Sequence, residues 1–100
     1  MKKLFIAAFM IVSSFGTNVM ADGHAIKMGI ILGFTGPIES LTPAMAGSAE
    51  LAFKEASDSG SLLGGKKIEV IRADSTCVDS AAATAAAEGV ISQGVAAIMG

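Results

Sequence analysis

Three short apolar runs, separated by two stretches with helical spacing, constrain the fold of this chain more than any other feature. The first run covers residues 26–32 (IKMGIIL), the second covers 67–73 and the third covers 95–99. An almost continuous apolar run is typical of a strand buried on both faces of a parallel sheet. Strands that alternate with helices form parallel sheets with right-handed crossovers. The sequence therefore predicts an α/β fold, the βαβαβ start of a doubly wound parallel sheet in a three-layer α/β/α arrangement.

The first helical stretch begins at Thr42 and Pro43, which predict a helix N-cap and the first helical residue. Its apolar residues recur at three- and four-residue steps and predict one packing stripe. They are Met45, Ala49, Ala52, Phe53 and Ala56. On the other side of the helix, we expect i,i+4 ion pairs of Lys54 with Glu50 and with Asp58.

The second helical stretch is rich in Ala, which combines high helix propensity with close packing against a sheet. We expect Asp79 or Ser80 to cap its N-terminus, because short polar side chains accept hydrogen bonds from the first backbone N–H groups. The predicted packing face is small and aliphatic and consists of Ala83, Ala86, Ala87, Val90 and Ile91.

Residues 1–21 differ from the rest of the chain and predict a secretory signal peptide. Two lysines precede an unbroken apolar run over residues 4–12, and a more polar stretch then ends in Val-Met-Ala. That tripeptide fits a secretory cleavage site between Ala21 and Asp22. A membrane-spanning helix needs about 20 apolar residues, many more than this run provides. We therefore expect the mature chain, residues 22–100, to be exported and not itself membrane-spanning.

The charge of the chain argues against one class of partner. Seven Lys/Arg stand against nine Asp/Glu, and two of the lysines belong to the predicted signal peptide. The remainder therefore carries a net charge of −4. A basic face for nucleic acid is not expected from such a balance.

Two glycine patterns come close to nucleotide-binding motifs, but each lacks what the chemistry requires. Gly33 and Gly36 have the final spacing of G-x-G-x-x-G, yet Ile31 occupies the place of the first glycine. Residues 60–67 nearly spell a phosphate loop, but Lys67 stands where a hydroxyl would contact Mg²⁺, and the segment precedes a strand. We expect no nucleotide and no other cofactor or metal.

Catalytic candidates are sparse. Cys77 and His24 form a conceivable nucleophile–base pair, but no third orienting group is identifiable, and we expect no enzyme. Glu39, Asp74 and Asp79 follow predicted strands and could form an acid pair, although such residues more often solvate a loop rim or cap a helix. In an exported chain, the single cysteine is a free thiol, lacks its partner, or is simply a small buried residue.

Several segments match one family of exported proteins in order and spacing. They are the first strand, TGP at 35–37, GSAELAF at 47–53, LGGKKIE at 63–69, DSTC at 74–77, the Ala-rich helix and GVAAIMG at 94–100. In this combination, the chain resembles the leucine/isoleucine/valine-type periplasmic binding proteins of ABC importers. The resemblance implies a longer, two-lobed protein, of which residues 22–100 would be the incomplete first part of the first lobe.

The resemblance also implies a function. Such proteins capture an amino acid of the branched-chain type, or a similar small organic solute, in a periplasmic cleft that closes by hinge motion. They then deliver it to a membrane permease. The first loop would face the solute, and the implied ligand-binding residues are Thr35, Gly36, Pro37, Ile38, Ser40 and Leu41. Cys77 matches the disulfide cysteine of the family, whose partner would lie beyond Gly100.

The residues of this loop suit capture without chemistry. Its glycines allow backbone N–H groups to approach a solute closely, and Thr35 and Ser40 can donate hydrogen bonds to a carboxylate. Phe34 and Ile38 provide either an apolar wall or ordinary core packing.

Two alternative functions remain open at this point. The same fold could serve as an extracellular sensor domain, which would require a transmembrane segment further along the chain. An exported α/β enzyme is the second alternative, and it would require a nucleophile–base set or a metal cluster beyond residue 100.

Overall fold

The computed structural model describes residues 25–100, and a parallel sheet lies at the centre of this region. The predicted signal peptide, its cleavage site and His24 lie outside the described residues. The elements in chain order are β1 (Ile26–Leu32), α1 (Thr42–Asp58), a short 3₁₀ turn (Leu62–Gly64), β2 (Ile68–Asp74), α2 (Ser80–Ser92) and β3 (Ala97–Met99).

The described strands pair in the order β2-β1-β3, and both pairings are parallel. Ile26 lies opposite Ile68 and Leu32 lies opposite Asp74, so β1 and β2 end side by side. β2 begins one residue later than its apolar run predicts and extends to Asp74. β3 begins two residues later than predicted. The predicted α/β class and element order are confirmed.

Alternate residues of β1 pack against different helices. Ile30 and Leu32 form the core with Ala46 of α1. Gly29 immediately precedes Ile30 and faces α2, because a Cβ placed there would lie 3.4 Å from Val90. Since successive side chains of a strand point to opposite faces, the two helices cover opposite faces of the sheet. This gives the predicted three layers.

The start of α1 differs from the prediction. Thr42 is the first helical residue, and the preceding Leu41 has no side-chain capping bond. The Thr42 hydroxyl instead donates to the carbonyl oxygen of Gly33 at 3.1 Å, and the residue is fully buried. The predicted N-cap is wrong by one residue because this hydroxyl joins the helix to the end of β1.

The packing stripe of α1 also needs correction. Met45 is 50% exposed and Ala52 is exposed, whereas Ala46 is fully buried. Ser57 is also buried, and its hydroxyl oxygen accepts a hydrogen bond from the Ile68 backbone N–H at 3.1 Å. The side facing the sheet thus includes a small residue and hydrogen-bonded polar residues that apolar spacing does not reveal.

Of the two ion pairs expected on α1, one forms. Lys54 contacts Asp58, but Glu50 pairs with Arg72 of β2 instead of with Lys54. The sheet brings a guanidinium within reach of Glu50, and this planar cation binds a carboxylate with two parallel hydrogen bonds, which an ammonium does not.

The N-terminus of α2 is capped as predicted. The Asp79 carboxylate accepts hydrogen bonds from the backbone N–H groups of Ala81 at 2.8 Å and Ala82 at 3.3 Å. Val90 is buried, but Ile91 is 61% exposed and does not belong to the packing face. Successive helical residues differ by about 100° around the axis, so the position after Val90 turns away from the sheet.

Candidate functional site

The strand order places a candidate site at the carboxyl ends of β1 and β3. From β1 the chain continues outward to β2 and then crosses back to β3 on the other side. Open α/β sheets bind ligands in the crevice where the strand order reverses in this way. The segment beside that point is the first loop, residues 33–41, which joins β1 to α1.

All six predicted ligand-binding residues lie in the first loop. Its middle is a tight turn, in which the backbone N–H of Glu39 donates to Gly36 at 3.2 Å and that of Leu41 donates to Ile38 at 2.9 Å. Ile38 is half-buried and Leu41 is 60% exposed. The remaining predicted residues are exposed, namely Thr35, Gly36, Pro37 and Ser40. The turn therefore presents backbone, one proline ring and small polar groups at the surface.

The carboxylate of Asp74 links the first loop to the second loop by hydrogen bonds. The second loop, residues 75–79, connects β2 to α2. The Asp74 carboxylate accepts from the Thr35 hydroxyl at 2.5 Å and from the Thr35 backbone N–H at 3.2 Å. It also accepts from the backbone N–H of Thr76 at 2.8 Å. We call this arrangement the Asp74 bridge. The hydrogen bond from the Thr35 hydroxyl, followed by that from Thr76, holds the pKa of Asp74 below its ordinary value.

Glycines allow the two loops to approach each other. Gly36 has a φ of +93°, and a Cβ there would lie 2.8 Å from the carbonyl oxygen of Thr76. A Cβ at Gly33 would lie 2.8 Å from the Cβ of Cys77. A real Cβ does not occupy such positions without displacing its neighbours. The glycine spacing that resembles a dinucleotide motif therefore serves the contact between the loops.

A second cluster supports the beginning of the first loop. The Arg72 guanidinium donates to both carboxylate oxygens of Glu50, at 2.5 and 2.8 Å, and its Cζ lies 5.3 Å from the centroid of the Phe34 ring. The hydrogen bond from Arg72 lowers the pKa of Glu50. Phe34 also packs against the core residues of β1. Of the two roles considered for Phe34, core packing is the one observed.

The second loop contains the cysteine and borders a concavity. Cys77 is exposed, so the reading of a small buried residue is wrong. Thr76 and Cys77 both have positive φ, at 57° and 68°, which is uncommon for residues with a Cβ. The neighbouring concavity has a volume of about 340 Å³, and its lining residues are Ser75, Cys77, Val78, Asp79, Ser80 and Ala83.

The three acidic residues considered for an acid pair have separate environments. Asp74 forms the bridge between the loops, and Asp79 caps α2. Glu39 is exposed on the first loop. The capping role was foreseeable from the local sequence. The bridge was not, because Thr35 and Asp74 are 39 residues apart and only the parallel register brings them together.

Two further properties concern only residues 25–100. Over this range, no three His, Cys, Asp or Glu side chains lie close enough together to hold a metal ion. None of the helices in the same range combines the length and the apolar character needed to cross a bilayer.

Comparison with known proteins identifies the family. A search of curated proteins finds no match to the chain. A family model described as "Periplasmic binding protein" matches residues 25–100, the whole of the described region. The matched range contains every strand, both helices and both loops described above. The chain belongs to the periplasmic binding protein family.

Proposed function

We propose that this protein is the periplasmic solute-binding component of an ABC importer, and that it captures a branched-chain amino acid or a similar small organic solute for delivery to a membrane permease. The observation that carries the proposal is the exposed turn of the first loop beside the reversal of strand order, in a chain of the periplasmic binding protein family. A solute-binding role is what the family suggests. The importer and the solute class are our extension of it.

The turn offers groups suited to a carboxylate. Ser40 is exposed, so its hydroxyl can donate to a solute. The turn leads directly into α1, a helix of 17 residues with no acidic side chain in its first turn. The positive end of the helix dipole favours an anion at this position.

The same turn also favours a cationic group. Glu39 immediately precedes Ser40 in the turn and is exposed. A carboxylate there repels a solute that carries only negative charge and attracts an ammonium group. A free amino acid carries both charges, so it fits the turn better than a plain carboxylate does.

Apolar contacts would come from the ends of the turn. Leu41 exposes most of its surface, and Ile38 is half-buried beside it. Binding sites for small molecules are usually lined by apolar side chains with a few polar groups that fix orientation. An aliphatic amino acid would place its side chain on these residues and its charged groups near Ser40 and Glu39.

Thermal unfolding of the purified protein tests the proposal. A ligand present at a hundred times its Kd stabilises a protein by about 2.7 kcal/mol, so binding raises the melting temperature. We expect leucine, isoleucine or valine to raise it more than isocaproate, which lacks the ammonium group. The proposal is contradicted if no amino acid or related solute in a broad panel shifts the melting temperature.

Two substitutions locate the binding groups. We expect Ser40→Ala to weaken binding of the active amino acid several-fold, since one hydrogen bond to a charged group is lost. Ser92→Ala is the matched control, because Ser92 lies at the far end of α2 and donates only to the Gly89 carbonyl. Equal binding by the two variants would remove Ser40 from the site.

A further inference from the structure

We infer that Asp74 is a positioning residue for the first loop: by accepting hydrogen bonds from both loops, it fixes the exposed turn in the conformation that receives the solute. The inference rests on the proposed function, because it assigns the turn its role. The sequence predicts Thr35 as a hydrogen-bond donor to the solute. Under this inference, the Thr35 hydroxyl donates to Asp74 instead.

The Asp74 bridge is attached to rigid structure. Asp74 is the last residue of β2 and lies opposite Leu32, the last residue of β1. The backbone N–H of Ser75 donates to the carbonyl oxygen of Leu32 at 2.9 Å, so the ladder between the strands continues beyond their ends. The carboxylate therefore has a fixed position relative to the start of the first loop.

One carboxylate holds three donors from two loops. Two of them, the hydroxyl and the backbone N–H, belong to Thr35, and the third is the backbone N–H of Thr76. Hydrogen bonds to an ionised acceptor are stronger than those between neutral groups. The backbone at residue 35 is thereby fixed immediately before Gly36, where the exposed turn begins.

The bridge holds the first loop from one side only. β2 and β3 flank β1 on opposite sides, and the reversal of strand order lies on the β3 side. Asp74 contacts the loop from the β2 side, so its carboxylate does not occupy the proposed binding position. The hydroxyl hydrogen of Thr35 is used by Asp74, which leaves Ser40 and the backbone of the turn for the solute. A loop ordered before binding costs less free energy to immobilise when the solute arrives.

Ionisable side chains around the bridge are already engaged or exposed. Arg72, on the same strand, pairs with Glu50 of α1. Asp79 caps α2. Glu39 and Cys77 are exposed on the first and second loops. Asp74 is thus the acidic group within residues 25–100 that accepts hydrogen bonds from both loops.

Nuclear magnetic resonance of the ¹⁵N-labelled full-length protein tests the bridge without any ligand. We expect the amide protons of Thr35 and Thr76 to shift together as the pH falls, with one common midpoint, and Asp74→Asn to abolish the common titration. At neutral pH, Asp74→Ala should speed hydrogen exchange at both amides by roughly tenfold or more, because local opening becomes easier. Separate midpoints, or unchanged exchange in the Asp74→Ala variant, overturn the inference.

Binding measurements test the consequence for the solute, with each of the common L-amino acids as a probe. We expect Asp74→Asn and Thr35→Val to weaken binding of the active amino acid by about tenfold, and Thr35→Ser to restore it. The double variant Asp74→Asn/Thr35→Val should be no weaker than either single variant, because both remove the same bridge. Asp58→Asn, which changes an ion pair on the surface of α1, is the control and should bind normally.

The two proposals fail in different ways. If the wild-type protein binds no amino acid while the Thr35 and Thr76 amides titrate together, the proposed function fails and the bridge stands. If the wild-type protein binds an amino acid and Asp74→Asn and Thr35→Val bind it equally well, the positioning role fails and the proposed function stands.

Discussion

The Arg72 guanidinium lies over the ring of Phe34, with 5.3 Å between its Cζ and the ring centroid, and at the same time donates to both carboxylate oxygens of Glu50. One side chain of β2 thereby contacts the start of the first loop and the middle of α1. The contact with Phe34 is a cation–π interaction, and the contact with Glu50 depends on two parallel donors.

Arg72→Lys should therefore lower the melting temperature although it keeps the charge, and Arg72→Ala should lower it further. A lysine ammonium cannot form the paired hydrogen bonds to Glu50. Lys66→Ala is a suitable control, because Lys66 is exposed in the turn before β2. Thermal unfolding followed by circular dichroism measures the order. If the lysine variant is as stable as the wild type, the paired hydrogen bonds to Glu50 have no role in stability.

The contact between the loops depends on a glycine, and a helical glycine offers the comparison. Gly36→Ala should destabilise the protein by roughly 1–3 kcal/mol, because alanine at positive φ is strained and its Cβ would press on the Thr76 carbonyl. Gly47→Ala should be neutral or stabilise the protein by up to about 1 kcal/mol, because Gly47 lies in α1 with open space around its Cβ position. Urea unfolding of the two variants gives the free energies. Equal stability would show that the loops adjust without cost.

The helix caps and the loop contacts differ in how far local sequence could predict them. Asp79 was foreseeable as a cap, since it bonds to N–H groups two and three residues ahead. Helical spacing predicts Lys54 as the partner of Glu50, yet its partner is Arg72, which the sheet brings across from β2. The sequence predicts Thr42 as a helix cap, yet its hydroxyl donates to the carbonyl oxygen of Gly33. Local patterns specify neighbours along the chain, whereas these contacts depend on how strands and helices pack.

The first loop shows the same distinction. Its position, its exposure and its small polar residues follow from the glycine-rich sequence between a strand and a helix. The use of the Thr35 hydroxyl by Asp74 does not, because it depends on the register of β1 against β2. The sequence therefore predicts an exposed loop at this position, but it does not predict the hydrogen bond between Thr35 and Asp74.

Acid should weaken the protein through the carboxylates that accept hydrogen bonds. The pKa of Asp74 is lowered by the Thr35 hydroxyl and then by the Thr76 N–H, and the pKa of Glu50 is lowered by its hydrogen bond from Arg72. For a folded-state pKa below the unfolded value, about 3.9 for Asp, the stabilisation is complete above the unfolded pKa and is lost as pH falls through the folded pKa.

The melting temperature should accordingly fall as the pH is lowered below about 4. Thr35→Val removes the hydrogen bond that contributes most to the lowered pKa of Asp74, so its melting temperature should be lower than that of the wild type at neutral pH and should fall by less as the solution is acidified. Asp74→Asn should have a shallower dependence on pH over this interval. A Thr35→Val profile that coincides with the wild-type profile would separate Asp74 from acid unfolding.

Cys77 provides the last prediction. It is exposed within the described region, on the second loop beside the concavity, and we propose that it pairs with a cysteine outside residues 1–100. Thiol labelling of the full-length protein recovered from an oxidising compartment should leave Cys77 unmodified, and reduction should make it react rapidly because the second loop leaves it accessible. Cys77→Ser, which cannot pair, should lower the melting temperature of the oxidised protein and leave that of the reduced protein nearly unchanged. Rapid labelling of Cys77 before reduction would establish a free thiol and remove the disulfide from the proposal.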